Sequence, residues 1–189
     1  LVIEPPCNFN HLPYVFLEKD WVNHPWIQNC AQMAIANSAN FSRIDIGILV
    51  KVFSFMKYED EKLWANLAAA SNKLLQLLRG KSYGIIFNHF LLNPTHSTSD
   101  FRERLISLLP TKVYKMPRDE LTKSFVTLVK LGRLNEYLWD KHFQKIFVKR
   151  AHWFGPKNYK LIIDHLVETE FAVTHMHFEF ICFNKLCLE

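Results

Sequence analysis

Residues 46–78 read IGILVKVFSFMKYEDEKLWANLAAASNKLLQLL, and they carry the unit from which the fold is built. Ile46, Leu49, Val50, Phe53 and Met56 follow the i, i+3, i+4, i+7 pattern of one helix face, and Leu63, Trp64, Leu67, Leu74, Leu75 and Leu78 do so for a second helix. Between them, Glu59, Asp60 and Glu61 put negative charge where the second helix begins, complementing the positive end of its macrodipole. The stretch predicts a helical hairpin, with the carboxylates forming a solvated first turn and not a metal site or acid pair.

On either side of this stretch the hairpin recurs. Trp26, Trp64, Phe101, Trp139 and His177 follow one another at a near-constant step of about 38 residues. Val15, Phe53, Phe90, Leu128 and Leu166 keep the same step, and so do Cys30, Ala68, Leu105, Phe143 and Ile181, whereas Trp21 and Trp153 fall out of register. A period of roughly 20 to 50 residues marks an array whose units bury their apolar faces only by stacking on a neighbour. The expectation is one all-α domain over residues 1–189, with repeats at 9–39, 44–78, 83–109, 117–150 and 156–187. Trp26, Phe53, Trp64, Phe90, Phe101, Leu128, Trp139 and Leu166 are its expected repeat core. Such an object offers a binding or scaffolding surface.

The punctuation agrees with this period. In the fourth unit Leu121, Phe125, Leu128 and Leu131 form one face, Gly132 suits the left-handed position after a helix end, and Leu138, Trp139, Phe143, Ile146 and Phe147 form the next face. In the third, Ile86, Phe87 and Phe90 precede a break at Pro94, and Phe101, Leu105, Leu108 and Leu109 follow a Ser97–Asp100 pair resembling a capping box. The first unit has Leu12, Val15 and Phe16, then Pro25 as the opening residue of a helix carrying Trp26, Ile27, Cys30 and Met33. The fifth follows Gly155 and Pro156 through Tyr159, Ile162, Ile163 and Leu166, and continues into Met176, Phe180 and Ile181. Residues 171–183 also alternate partly like a strand. Gly47 alone is expected inside a helix, at a cost of about 1 kcal/mol relative to alanine, which a close helix crossing explains.

Composition narrows the function classes. Hydrophobic residues make up 49% of the chain and sixteen are phenylalanine, more adhesive surface than a lone monomer needs, so part of it is expected to meet partners. No uninterrupted apolar run reaches the roughly 20 residues of a membrane span. Cys7, Cys30, Cys182 and Cys187 form neither a C-x-x-C pair nor a zinc-type pattern, and read as reduced thiols. The chain starts at Leu1, so an initiator or a removed targeting peptide is expected upstream. No Gly-rich phosphate loop, G-x-S-x-G elbow or H-E-x-x-H helix occurs, and His175 and His177 diverge by about 200° on a helix, too far to chelate one ion. No enzyme activity, cofactor, metal or small-molecule substrate is expected.

Paired helices at this step, with an aromatic early in each second helix, resemble the octotricopeptide and heptatricopeptide repeats, relatives of pentatricopeptide arrays. The resemblance is carried best by Lys51-Val52-Phe53 with Leu63-Trp64 and by Val126-Thr127-Leu128 with Leu138-Trp139. It implies a right-handed α-solenoid of about five repeats in the mitochondrial matrix, or a plastid, binding organellar RNA or serving inside a ribosome or another large assembly.

Net charge is +5 but uneven, with residues 111–160 holding twelve Lys or Arg against four Asp or Glu. Lys112, Lys115, Lys123, Lys130, Arg133, Lys141, Lys145, Lys149, Arg150, Lys157 and Lys160 are therefore the candidate RNA-binding residues. Tyr58, Tyr114, Tyr137 and Tyr159 are candidates for stacking on bases, or for packing between helices. Polar positions do not recur from unit to unit: Lys51 becomes Asn88, Val126 and Asp164. This argues against one-base-per-repeat reading. The expectation is a non-catalytic subunit of a mitochondrial ribonucleoprotein, touching rRNA with basic helices and neighbouring proteins with aromatic surface. The alternative is a protein-only subunit of a respiratory or ATP-synthase complex.

Overall fold

The computed structural model describes residues 23–169, without the side chain of Ala151. Every regular element among these residues is helical. One set of helices, α2 (Arg43–Phe55), α4 (Gly80–Leu92), α6 (Arg118–Lys130) and α9 (Pro156–Leu166), begins at a near-constant step along the chain. The other set keeps nearly the same step: α1 (Pro25–Asn37), α3 (Glu61–Lys73), α5 (Ser99–Lys112) and α7 (Glu136–Leu138) with its continuation through α8 (Gln144–Lys149). The sequence period is thus a period of helix starts.

Packing follows the same order. α2 lies against α4, α4 against α6 and α6 against α9, while α1 lies against α3; α2 with α3 and α4 with α5 form the hairpins. Gly47 and Gly84 explain how closely the first set approaches. A Cβ on Gly47 would come within 2.7 Å of Ser82 Oγ on α4, and one on Gly84 within 2.7 Å of Glu120 Cβ on α6. The two glycines stand one period apart, so the same crossing is used twice. Hydrogen bonds lock it: Asn88 Nδ2 donates to Glu120 O (3.5 Å), Thr127 Oγ1 to Asn88 Oδ1 (3.2 Å) and, one unit on, Asn158 Nδ2 to Asp119 Oδ1 (3.2 Å).

Helix ends obey local chemistry. Ser42 and Asp45 form a reciprocal capping box, Asp60 accepts from Leu63 N (2.8 Å) and Asn135 from Leu138 N (2.8 Å). Gly132 adopts φ 60°, as its place after α6 requires. Pro25 opens α1.

Seven of the eight expected core residues are buried: Phe53, Trp64, Phe90, Phe101, Leu128, Trp139 and Leu166. Trp26 departs from them, with 40% of its surface exposed. It sits in the first turn of α1, and no first helix of its own unit lies among the described residues to cover it. Other expectations also change. Thr98, not Ser97, caps α5, accepting from Phe101 N (3.3 Å) while Ser97 Oγ is buried without a partner among the described residues. The face ending at Leu78 is not one helix, because α3 stops at Lys73 and Leu75–Leu77 turn tighter. Gly47 is not alone, since Gly80 and Gly84 lie in α4 and Pro110 in α5. The fourth unit's second helix is interrupted by a π-helical segment, Trp139–Phe143. Val15, His175, His177, Ile181, Cys7, Cys182, Cys187 and the 171–183 segment lie outside the described residues.

Candidate nucleic-acid interface

The eleven candidate cations do not form one surface. On α6, Phe125 points at the second helix of its hairpin, where its ring meets Trp139, Phe143 and Phe147 at centroid distances of 5.8, 5.5 and 5.3 Å. Lys123 and Lys130 lie about 160° and 140° around α6 from Phe125, so they face away from that helix. On α8, Lys145 and Lys149 are each about 160° from Phe147, which puts them on the opposite side of the hairpin. Lys141 joins them, one helical turn before Lys145. Lys157 and Lys160 are exposed on α9, beside the α6 cations, and Lys115 is exposed in the turn after α5.

Four of the eleven already have partners. Lys112 Nζ donates to Gln76 O (2.7 Å) and Leu78 O (3.1 Å), tying α5 to the preceding unit; burial, then Lys115, holds its pKa below the usual lysine value. Arg133 forms a two-oxygen ion pair with Glu103. Arg150 lies over the Trp153 ring at 5.5 Å, and Lys160 pairs with Asp164 at 2.8 Å. Arg118, outside the expected set, donates to Trp153 O (3.4 Å) across the same junction.

What remains on the second-helix side is a compact group. Lys141, Lys145 and Lys149 are exposed and form no ion pair among the described residues. Tyr137 (58% exposed) and Tyr114 (41% exposed) flank them. Tyr114 donates its hydroxyl to Lys141 O (2.9 Å), and both rings meet His142 edge-on, at 5.7 and 5.2 Å. The π-helical segment sets this arrangement, since Gln144 N bonds to Trp139 O, five residues back. Both ring nitrogens of His142 are shielded and have no hydrogen-bond partner among the described residues. Burial, then the nearby Lys145, holds its pKa below the ordinary histidine value. Tyr58 and Tyr159 are buried and pack between helices.

A second cluster of titratable groups sits between the second and third units. His96 Nε2 is 3.3 Å from Glu59 Oε2, and His96 Nδ1 is 3.1 Å from His89 Nε2. Both imidazoles stack on Trp64, at 4.0 and 4.8 Å, and the indole N–H donates to Tyr58 O (2.7 Å). Burial, with a smaller contribution from His96, pushes the His89 pKa down to about 4. The ring nitrogens are spent on one another, on Glu59 and, for His89 Nδ1, on the Asn93 amide (3.5 Å), so the cluster is a structural hydrogen-bond chain. Nothing in the sequence marks it, because His89 and His96 belong to different elements and share no motif spacing.

Among the described residues no group of three or more His, Cys, Asp or Glu side chains could hold a metal ion, and no helix is long and apolar enough to cross a membrane. In comparisons with known proteins, no family model and no curated protein matches this chain.

Proposed function

We propose that this chain is a non-catalytic helical-repeat scaffold, a right-handed α-solenoid, that holds RNA against the second-helix side of its fourth unit inside a mitochondrial ribonucleoprotein. The observation that carries the RNA contact is the row Lys141, Lys145 and Lys149 beside the exposed Tyr114 and Tyr137. Ammonium groups one turn apart neutralise successive phosphates, and exposed phenol rings offer stacking faces to unpaired bases. The solenoid reading is supported by the near-constant step between helix starts and by α2, α4, α6 and α9 packing in sequence. The mitochondrial setting and a ribosomal host rest on the resemblance to octotricopeptide and heptatricopeptide repeats. Non-recurring polar positions along the first helices favour shape-led contact over base-by-base reading.

The test is RNA affinity against salt for the full chain and for a Lys141→Ala, Lys145→Ala, Lys149→Ala variant. Each lost phosphate contact should lower the log–log salt slope by about 0.7 to 0.9, so a drop of roughly 2 to 3 is expected. An unchanged slope removes the RNA contact from this face. Absence of RNA binding altogether favours a second reading, a protein-only subunit of a respiratory or ATP-synthase complex. The exposed Ile44, Phe55 and Leu92 on the first helices speak for protein contact.

A further inference from the structure

The outward face of the first helices carries a grid with two kinds of side chain. Ile48 and Phe55 on α2, Ile85 and Leu92 on α4, and Lys123 and Lys130 on α6 occupy equivalent positions in successive units. Within each helix the two members are two turns apart on one face, about 10.5 Å along the axis. Between helices the axes are about 8–10 Å apart. Each row therefore reads apolar, apolar, lysine. Phe55 is 61% and Leu92 50% exposed, Ile48 and Ile85 are half-buried, and both lysines are exposed.

Of the three carboxylates on α2, α4 and α6, two are engaged and the third stands at a helix crossing. Asp45 accepts from Ser42 N (2.9 Å), Asp119 accepts from Asn158 and lies 3.7 Å from Arg118 Nε, and Glu120 is wedged against Gly84. Neither lysine has an ion pair among the described residues. Phosphate gains nothing from Ile48, Phe55, Ile85 and Leu92, and at the α2 end of the face only Lys51, exposed between Ile48 and Phe55, offers it a charge, so an RNA backbone fits best at the end with two lysines. A second copy of this face fits poorly too, because its two rows bring only apolar side chains and lysines to meet Lys123 and Lys130, with Glu120 set aside at the crossing with Gly84. We infer that this face docks an amphipathic helix of a partner protein, laid across α2, α4 and α6, with apolar side chains at one end and carboxylates at the other. The inference rests on the scaffold reading above but uses the side of the array opposite Lys141, Lys145 and Lys149.

The probe is a labelled synthetic helix of about 18 residues, long enough to cross three helix axes. It carries leucines on one face and glutamates over its last two turns. Its control has lysines in place of the glutamates, and an unstructured RNA oligonucleotide is titrated separately. The full chain should bind the glutamate peptide at least about tenfold tighter than the lysine peptide, a difference of about 1.4 kcal/mol. Phe55→Ser with Leu92→Ser, both at exposed positions, should weaken the glutamate peptide by about tenfold and leave RNA affinity unchanged. Lys123→Glu with Lys130→Glu should invert the peptide preference. Equal affinity for the two peptides, or no loss in the Ser variants, overturns the inference. So does loss of RNA binding in the Ser variants, which would assign the face to nucleic acid, or their conversion of a self-associating chain to monomer, which would assign it to a second copy. Loss of RNA binding confined to the Lys141, Lys145 and Lys149 variant leaves this inference standing and speaks only to the RNA contact.

Discussion

Trp64 and Trp139 hold equivalent places two units apart, yet they are buried in opposite ways. Trp64 is stacked on by His89 and His96, which lie side by side with ring centroids 5.2 Å apart, and its indole N–H is spent on Tyr58 O, with Glu59 closing the hydrogen-bond chain at the surface. Trp139 lies among Phe125, Phe147 and Phe143, a cluster that runs on through Phe154 to Tyr159. One repeat position can thus be closed by a polar chain or by an aromatic one. The backbone responds as well: α3 is regular around Trp64, whereas the helix at Trp139 takes up the π-helical segment that turns His142 and Lys141 toward Tyr114.

The largest expected effect tests whether both tryptophans anchor the stack. Trp64→Ala and Trp139→Ala should each destabilise the fold by about 3 to 5 kcal/mol, read from urea unfolding at pH 7.5. A loss below about 1 kcal/mol at either position would make the register a sequence coincidence at that unit.

The next effect should separate the two regions. A histidine whose folded pKa lies below its unfolded value binds fewer protons when folded, so its stabilisation is complete above the unfolded pKa and is lost as pH falls toward the folded one. For His89 that window runs from about 6.5 down to about 4. Stability should fall by on the order of 2 to 3 kcal/mol across it, and the part due to this residue should vanish in His89→Phe. Hydrogen exchange at pH 7.5 and 5, corrected for intrinsic rates, should show amide protection falling more in α3 and α4 than in α6 and α8, beside which His142 is shifted in the same direction. Equal loss in both regions breaks the contrast.

How much of this is legible in the sequence depends on the range of the chemistry. Helix faces, the period, Pro25, Gly132 and the close crossing at Gly47 can be read because each is a local constraint written within a few residues. Gly84 is equally readable in principle, lying one period after Gly47, but its neighbourhood lacks the charged turn that marks residues 59–61. The π-helical segment is hidden because Leu138, Trp139, Phe143, Ile146 and Phe147 satisfy an α-helical face without revealing an extra residue in the turn. The basic segment is visible as composition, but its division between two sides depends on where Phe125 and Phe147 point. Arg133 and Glu103 come from different units, and their pairing carries no sequence signal at all.

The smallest effect refines the polar side of the comparison. Glu59 ends the hydrogen-bond chain, but its side chain is 78% exposed, whereas that of His96 is 10% exposed. Water can replace an exposed carboxylate at little cost, and salt screens what attraction remains. Glu59→Gln should therefore change stability by less than about 1 kcal/mol at neutral pH, with the Trp64 stacking retained. A loss approaching that of Trp64→Ala would mean that the carboxylate fixes the His96 tautomer and, through it, the hydrogen bond to His89. The polar closure would then be one cooperative unit, rather than a buried stack of rings with a solvated carboxylate at its edge.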